Sequence, residues 1–172
     1  MKRQRVVVTG LGVVSSVGLG WKAFWESLLA GRSGIHPIQY FDTSDYPTHF
    51  GGEVVGFDPL EFMPEVVARR LGRGSQFAIA ATKMALEDSH LNFQEIQTIR
   101  TGVCLGTTMA DVQALESINQ AWVQSGDGHV SSSLVTQYPT CTMSANVANH
   151  FNLSGPTLKC HAQGQIVKMS CF

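Results

Sequence analysis

Four cysteines and six histidines are the residues of this 172-residue chain whose types could carry nucleophilic or metal chemistry. Cys104, Cys141, Cys160 and Cys171 form no C-x-x-C pair, and only Cys160-His161 places two metal-ligating types side by side. Neighbours on a strand point to opposite faces, so this pair does not combine with His150 and Cys171 into a tetrahedral zinc set, and no metal or cofactor site is read from the sequence. A thiol becomes a strong nucleophile only in a fixed electropositive pocket. Cys160 falls within a predicted strand and Cys171 lies one residue from the last residue given, where such a pocket is not expected. Most of His36, His49, His90, His129, His150 and His161 fall in predicted loops or at helix ends, where a solvated imidazole is the ordinary outcome. Glu87-Asp88 and Asp42/Asp45 look like paired carboxylates, but helix neighbours diverge and nothing else converges on them, so both are read as solvated.

Gly10-x-Gly12 after an apolar run is a partial dinucleotide fingerprint. Its third glycine position is Ser15, and residues 13–20 read as a loop, so a pyrophosphate would find no helix N-terminus. A tight structural turn is the better reading. With 12 Lys+Arg against 13 Asp+Glu, the chain has no long-range field for nucleic acid or an anionic membrane, and any acidic partner must use a local basic patch. No apolar run has transmembrane length and no signal peptide is seen, which makes a reduced cytoplasmic setting the default. Apolar residues make up 44% of the chain, enough for one core, while charged residues make up only 15%. That charge is well below the roughly 25% of ordinary soluble domains, so much of the surface is expected to lie against a partner.

The elements follow from periodicity. Val6-Val7-Val8 suits a strand buried on both faces of a sheet. Trp21, Phe24, Trp25, Leu28 and Leu29 make an apolar helix stripe that Gly31 ends in a left-handed conformation. A loop over 32–47, an irregular strand over 50–57 and a short helix over 60–71 with Pro64 near its start come next. Ser75 is expected to cap a strong helix to Ser89, whose four alanines permit close backbone approach. Gly102 to Gly106 reads as a second central strand, followed by a turn over 107–110 and a helix capped by Asp111 that buries Val112, Leu115, Ile118 and Trp122. A polar loop over 125–133 precedes a helix from about 140 to 151 that carries Met143, Val147 and Phe151, stopped by Ser154-Gly155-Pro156. Thr157 to Cys160 is the last strand. Strands alternating with helices imply an α/β fold with a parallel sheet.

Four segments in order carry a resemblance. They are Arg5-Val6-Val7-Val8-Thr9-Gly10-Leu11-Gly12-Val13-Val14-Ser15, Phe24 to Ile35 with its Leu29-Ala30-Gly31-Arg32-Ser33-Gly34-Ile35, Phe41-Asp42-Thr43-Ser44, and Gly155-Pro156-Thr157-Leu158. Together they resemble the N-terminal half of the β-ketoacyl-acyl-carrier-protein synthases, condensing enzymes of fatty-acid and polyketide synthesis. The resemblance implies an incomplete N-terminal half of a thiolase-like α-β-α-β-α sandwich, spanning 1–158, with a divergent, poorly ordered tail over 159–172. It also implies, for the family, a homodimer and an acyl carrier protein as partner. The family's chemistry passes an acyl group to a cysteine, then condenses it with the carbanion left when malonyl-carrier-protein loses carbon dioxide.

In the family, the strand after Gly155-Pro156 leads to that cysteine at a strand-to-helix turn, where a helix N-terminus lowers the thiol pKa and backbone N–H groups face the oxyanion. Here the nucleophile's place falls on Gly164, within His161-Ala162-Gln163-Gly164-Gln165. No histidine of the chain matches the pair that serves the decarboxylation. Met109 aligns with a family position lining the acyl pocket, the plain alternative being a buried methionine at a strand end. The expectation is a chain descended from a synthase by a frame change after Leu158, inactive alone. A non-catalytic module that binds a synthase subunit or acyl carrier protein is the alternative, and a transferase using Cys160 or Cys171 a third reading.

Overall fold

The computed structural model describes residues 5–107, 109, 111–125, 139, 141–161 and 169–171. Of the loop predicted over 125–133, Ser125 ends a helix and residues 126–133, His129 among them, lie outside the described residues, as do Thr140 and Gly164. The chain opens with a short hairpin, β1 (Val14–Ser15) and β2 (Gly18–Leu19), antiparallel. Helix α1 (Trp21–Leu29) follows and ends as the glycine requires: Gly31 has φ of 64°, the Gly31 N–H donates to the Leu28 carbonyl and the Arg32 N–H to that of Ser27. β3 (His36–Pro37) pairs antiparallel with β4 (Phe50–Gly51), so the irregular strand expected over 50–57 shrinks to two residues. A 3₁₀ turn (Pro59–Glu61) and α2 (Glu65–Ala68, after Pro64) share the span expected of one helix.

Helix α3 (Arg73–Ser89) is the longest element, followed by α4 (Phe93–Thr98). Strand β5 (Val103–Thr107), helix α5 (Val112–Ser125), helix α6 (Cys141–His150), strand β6 (Thr157–His161) and strand β7 (Met169–Cys171) complete the order. The sheet runs β6-β5-β7: β6 is parallel to β5 over all five residues, and β7 is antiparallel to it over Val103 to Leu105. The core lies between this sheet and two helices, with Ile79 of α3, Val103 and Leu105 of β5, and Met143 and Val147 of α6 in one cluster. Each such side chain contributes roughly 1.5–3 kcal/mol by leaving water.

Close backbone approach decides two joints. At the sheet's entry, the Gly155 N–H donates to the Thr101 carbonyl and the Val103 N–H to that of Pro156, both at 2.9 Å. A Cβ on Gly155 would sit 2.3 Å from the Thr101 oxygen, so Gly155 is more than a helix stop. At the second joint, Gly10 and Gly12 cross α3. A Cβ on Gly10 would lie 2.0 Å from the Ala85 carbonyl oxygen, and one on Gly12 1.9 Å from that of Ala81. The expected turn is instead a crossing of two backbones, made by glycines on one side and the expected alanines on the other. Asp88 locks it: its carboxylate accepts from the Leu11 N–H at 2.9 Å and the Trp21 indole at 2.7 Å. The pair Glu87-Asp88 is thus not merely solvated. The Leu11 amide first, then the Trp21 indole, hold the Asp88 carboxyl below its ordinary range.

Two further expectations change. Val6, Val7 and Val8 form no strand and are 84%, 68% and 83% exposed, and Trp25 and Leu29 of the α1 stripe are exposed as well. A β-branched run is a strand only where a neighbour supplies the ladder, and none does here. Nor does Ser75 cap α3. Gly72 holds that place, and Ser75 sits a turn inside, fully buried. The cap comes from 36 residues away in sequence: the Asp111 carboxylate accepts from the Gly74 N–H at 2.6 Å and the Ser75 hydroxyl at 3.0 Å. Asp111 meanwhile begins α5 through its backbone, whose carbonyl accepts from the Ala114 N–H. The Asn146 amide of α6 donates to the Ser75 Oγ at 3.3 Å, so one buried chain of hydrogen bonds links α3, α5 and α6.

Three outcomes follow. Asp111→Ala removes a cap and strands a buried hydroxyl and amide, costing ~2–4 kcal/mol in urea unfolding; a loss within error would refute the clamp. Gly12→Ala drives a methyl into the α3 backbone and costs ~2–3 kcal/mol or more by the same measurement, a neutral variant contradicting the crossing. Asp88 has a depressed folded-state pKa, so its contribution is full above the unfolded value and fades as pH falls through the folded one. Asp88→Asn therefore melts below the parent near neutral pH, and scanning calorimetry shows the gap closing as pH falls through and below the ordinary carboxylate range. A gap independent of pH would show that the carboxylate charge plays no part.

Candidate functional site

In parallel sheets, reacting groups gather beyond the carboxyl ends of the strands. That end of the β5–β6 pair is Thr107 opposite His161. Beyond it come Met109, in a bend and 61% exposed, and Asp111, 5% exposed at the head of α5. The Asp111 carboxylate is occupied by Gly74 and Ser75, so it acts as a structural clamp beside the site. Gly164, the place read as the nucleophile's, lies a few residues past β6, outside the described residues.

The cysteines do not converge. Cys104 is partly buried in the middle of β5, and Cys141 is exposed on the first residue of α6. Cys160 on β6 pairs in register with Gly106, while Cys171 on β7 pairs with Val103. Those partners are three residues apart on β5, about 10 Å of strand, and the two cysteines flank it on opposite sides. Their backbones are thus beyond the roughly 7 Å reach of a disulfide.

The described histidines are engaged locally, through the ring at His36, His49 and His150 and through the backbone at His90. His36 Nε2 is 3.2 Å from the Glu53 carbonyl oxygen, and His49 Nδ1 is 3.0 Å from the Thr43 hydroxyl. His90 ends α3 in a left-handed conformation. His150 meets the Phe151 ring edge-on, and burial pushes its pKa down, with the Lys83 charge adding. Asp42 accepts from the Ser44 hydroxyl and N–H, which lower its pKa in that order. Among the described residues, no three of His, Cys, Asp and Glu gather where they could hold a metal ion.

A second feature, not legible in the sequence, is an open groove of about 1070 Å³ between the segment over 39–55 and α5. Arg73 stands in its wall, with its guanidinium 4.9 Å from the Phe77 ring centre, 5.5 Å from Tyr40 and 5.8 Å from Phe57, and donates to the Val54 carbonyl at 3.0 Å. Glu53 closes the segment by accepting from the Gln39 and Tyr40 N–H groups. The Gln39 amide leads in holding its carboxyl below the usual range, with Tyr40, His36 and Arg73 adding. Only the tertiary fold brings Tyr40, Phe57, Arg73 and Phe77 together.

The family model described as Beta-ketoacyl synthase, N-terminal domain, matches residues 3–163. The chain is 37% identical over 158 residues to 3-oxoacyl-[acyl-carrier-protein] synthase 2 of Vibrio cholerae, covering 92% of this chain and 38% of that protein. It is also 37% identical over 163 residues to the granaticin polyketide putative beta-ketoacyl synthase 1 of Streptomyces violaceoruber, covering 89% and 38%. Among solved structures, the ishigamide ketosynthase/chain length factor superposes with a TM-score of 0.87 at 28% identity, over 92% of this chain and 40% of that one. The chain thus spans well under half the length of these relatives, and its fold is that of an N-terminal portion of the thiolase-like sandwich. On the match over residues 3–163, the chain belongs to the β-ketoacyl synthase family, as its N-terminal domain.

Proposed function

We propose that this chain provides the N-terminal scaffold of a condensing enzyme and does not itself perform the acyl transfer. The whole reaction would be decarboxylative condensation of an acyl thioester with malonyl-carrier-protein, split into two steps by a covalent thioester on cysteine. The observation that carries this reading is the residue at 164: glycine has no side chain to accept an acyl group. The β5–β6 pair, locked by Gly155 against Thr101, would aim the chain at that position, and Met109 beyond β5 would form part of the acyl pocket's wall.

An acyl carrier protein, acidic and bearing a phosphopantetheine thioester, is the proposed partner in a cytoplasmic setting. With a net charge of −1, the chain must meet it through a local patch. Arg69 and Arg70 of the α2 end are adjacent and exposed, though Glu65 also pairs with Arg69. The exposed apolar side chains Trp25, Leu29 and Trp122 favour a partner surface, either a homodimer mate or the synthase subunit of the interaction-module reading.

The test is to incubate the full chain with acyl- and malonyl-carrier-protein and follow adduct mass and carbon dioxide release. No adduct and no release are expected. An acyl adduct on Cys160 or Cys171 would overturn the proposal. Titration with acyl carrier protein should detect binding that R69E/R70E weakens about tenfold, and carrier binding unaffected by that double change would remove α2 as the docking patch.

A further inference from the structure

We propose that the open groove between the segment over 39–55 and α5 binds a short peptide with both ends free, its carboxylate on Arg73 and its ammonium on Glu116. Three kinds of wall line this space of about 1070 Å³. Arg73, at the start of α3, is partly buried, with its guanidinium against the rings of Tyr40, Phe57 and Phe77. Among the described residues, one of its five N–H donors has an acceptor, the Val54 carbonyl, and no carboxylate is ion-paired with it. The rest of that planar fork suits a carboxylate. On α5, Gln113, Glu116, Ser117 and Gln120 fall at i, i+3, i+4 and i+7, one helix face, all exposed and without a hydrogen-bond partner among the described residues. The third wall is aromatic: Tyr40, Phe41 and Tyr46 are each more than half exposed, and Phe41 and Tyr46 meet edge-on.

The charges choose the ligand. Asp42, Glu53 and Glu116 stand against Arg73 alone, so a simple anion would meet net repulsion, and a simple cation would leave the guanidinium unpaired. Asp42 accepts from Ser44, and Glu53 from Gln39 and Tyr40, all within their own segment. Glu116 is therefore the lining carboxylate with no donor among the described residues. A zwitterion with separated ends answers both demands. Peptide groups between those ends would exchange hydrogen bonds with Gln113, Ser117 and Gln120, while side chains would lie on the exposed rings. A space of about 1070 Å³ is roughly 10 Å across, the extended length of about three residues. Met109 is not on these walls, so the inference does not depend on the condensing-enzyme reading.

Titration calorimetry on the full chain with the tripeptide Ala-Phe-Ala tests it, beside the same tripeptide acetylated at its amine or amidated at its carboxylate. The free peptide should bind about tenfold more tightly than either blocked form. Glu116→Gln, a change at an exposed position, should erase the preference for the free over the acetylated peptide and keep that over the amidated one. Arg73→Met should do the reverse. Absence of binding by the free tripeptide overturns the proposal. Equal affinity of the parent chain for the free peptide and for either blocked form overturns it too, since one charge would then suffice. A Glu116→Gln variant that still discriminates against the acetylated form does the same, and these outcomes decide the matter even where Arg73→Met loosens the segment over 39–55.

Discussion

The carboxylate of Asp111 holds three helices in one arrangement. It stands at the amino end of α3, where unpaired N–H groups and the helix dipole both favour a negative charge, and accepts from Gly74 and Ser75. Because Asp111 is also the first backbone acceptor of α5, the head of α5 cannot move without uncapping α3. Ser75 extends the link to Asn146 of α6. Glycine at 72 and 74 is part of the same constraint, since a Cβ at either would come within 2.8 Å of Asp111 side-chain atoms. In a buried setting a network like this is strong when complete and costly when broken, so it specifies one packing of α3 against α6 over the sheet.

A second constraint is contact between bare backbones. Gly10 and Gly12 against Ala81 and Ala85, and Gly155 against Thr101, bring segments closer than any side chain would permit. Such joints add little apolar area. They place the chain accurately instead, and hydrogen bonds such as Asp88 to Leu11 then fix the register. The apolar area not used in this way is left outside, on Val6–Val8, Trp25, Leu29 and Trp122. A chain with only 15% charged residues has little polar surface to put there, and composition thus translates into exposed apolar faces.

The long, strongly periodic elements were legible in the sequence. Helix α1 with its Gly31 terminus, the span of α3, the buried Met143 and Val147 of α6 with Phe151 just past its end, and the parallel partnership of β5 and β6 all follow from apolar spacing and breakers. What failed were features decided by tertiary neighbours. Ser75 read as the cap of α3, and Asp111, which does begin α5 through its backbone, read as serving that helix alone, because local spacing holds no sign that its carboxylate could serve a helix 36 residues earlier in the chain. Val6–Val8 read as a buried strand because propensity cannot say whether an edge is free to receive it. Asp88 read as solvated because its partners, Leu11 and Trp21, lie 77 and 67 residues away. The Arg73 cluster with Tyr40, Phe57 and Phe77 was invisible for the same reason. The family itself was legible from short ordered motifs, because close-approach glycines such as Gly10, Gly12 and Gly155 leave few substitutes.

Scaffold and chemistry make separate demands on such a fold. The glycines, the Asp111 clamp and the buried face of β5 are needed to lay β6 beside β5 in register, and they would be needed whatever residue followed. A thiolate makes a narrower demand: a sulfur at a helix amino end, where the dipole and free N–H groups stabilise its charge. Nothing in the packing of β5 against α3 and α6 senses whether that sulfur is there, since the core cluster is complete without it. The described core therefore does not depend on which residue stands at 164. A sequence can in this way keep the fold of the family's N-terminal domain, at 37% identity to a synthase, under constraints separate from those that chemistry would impose.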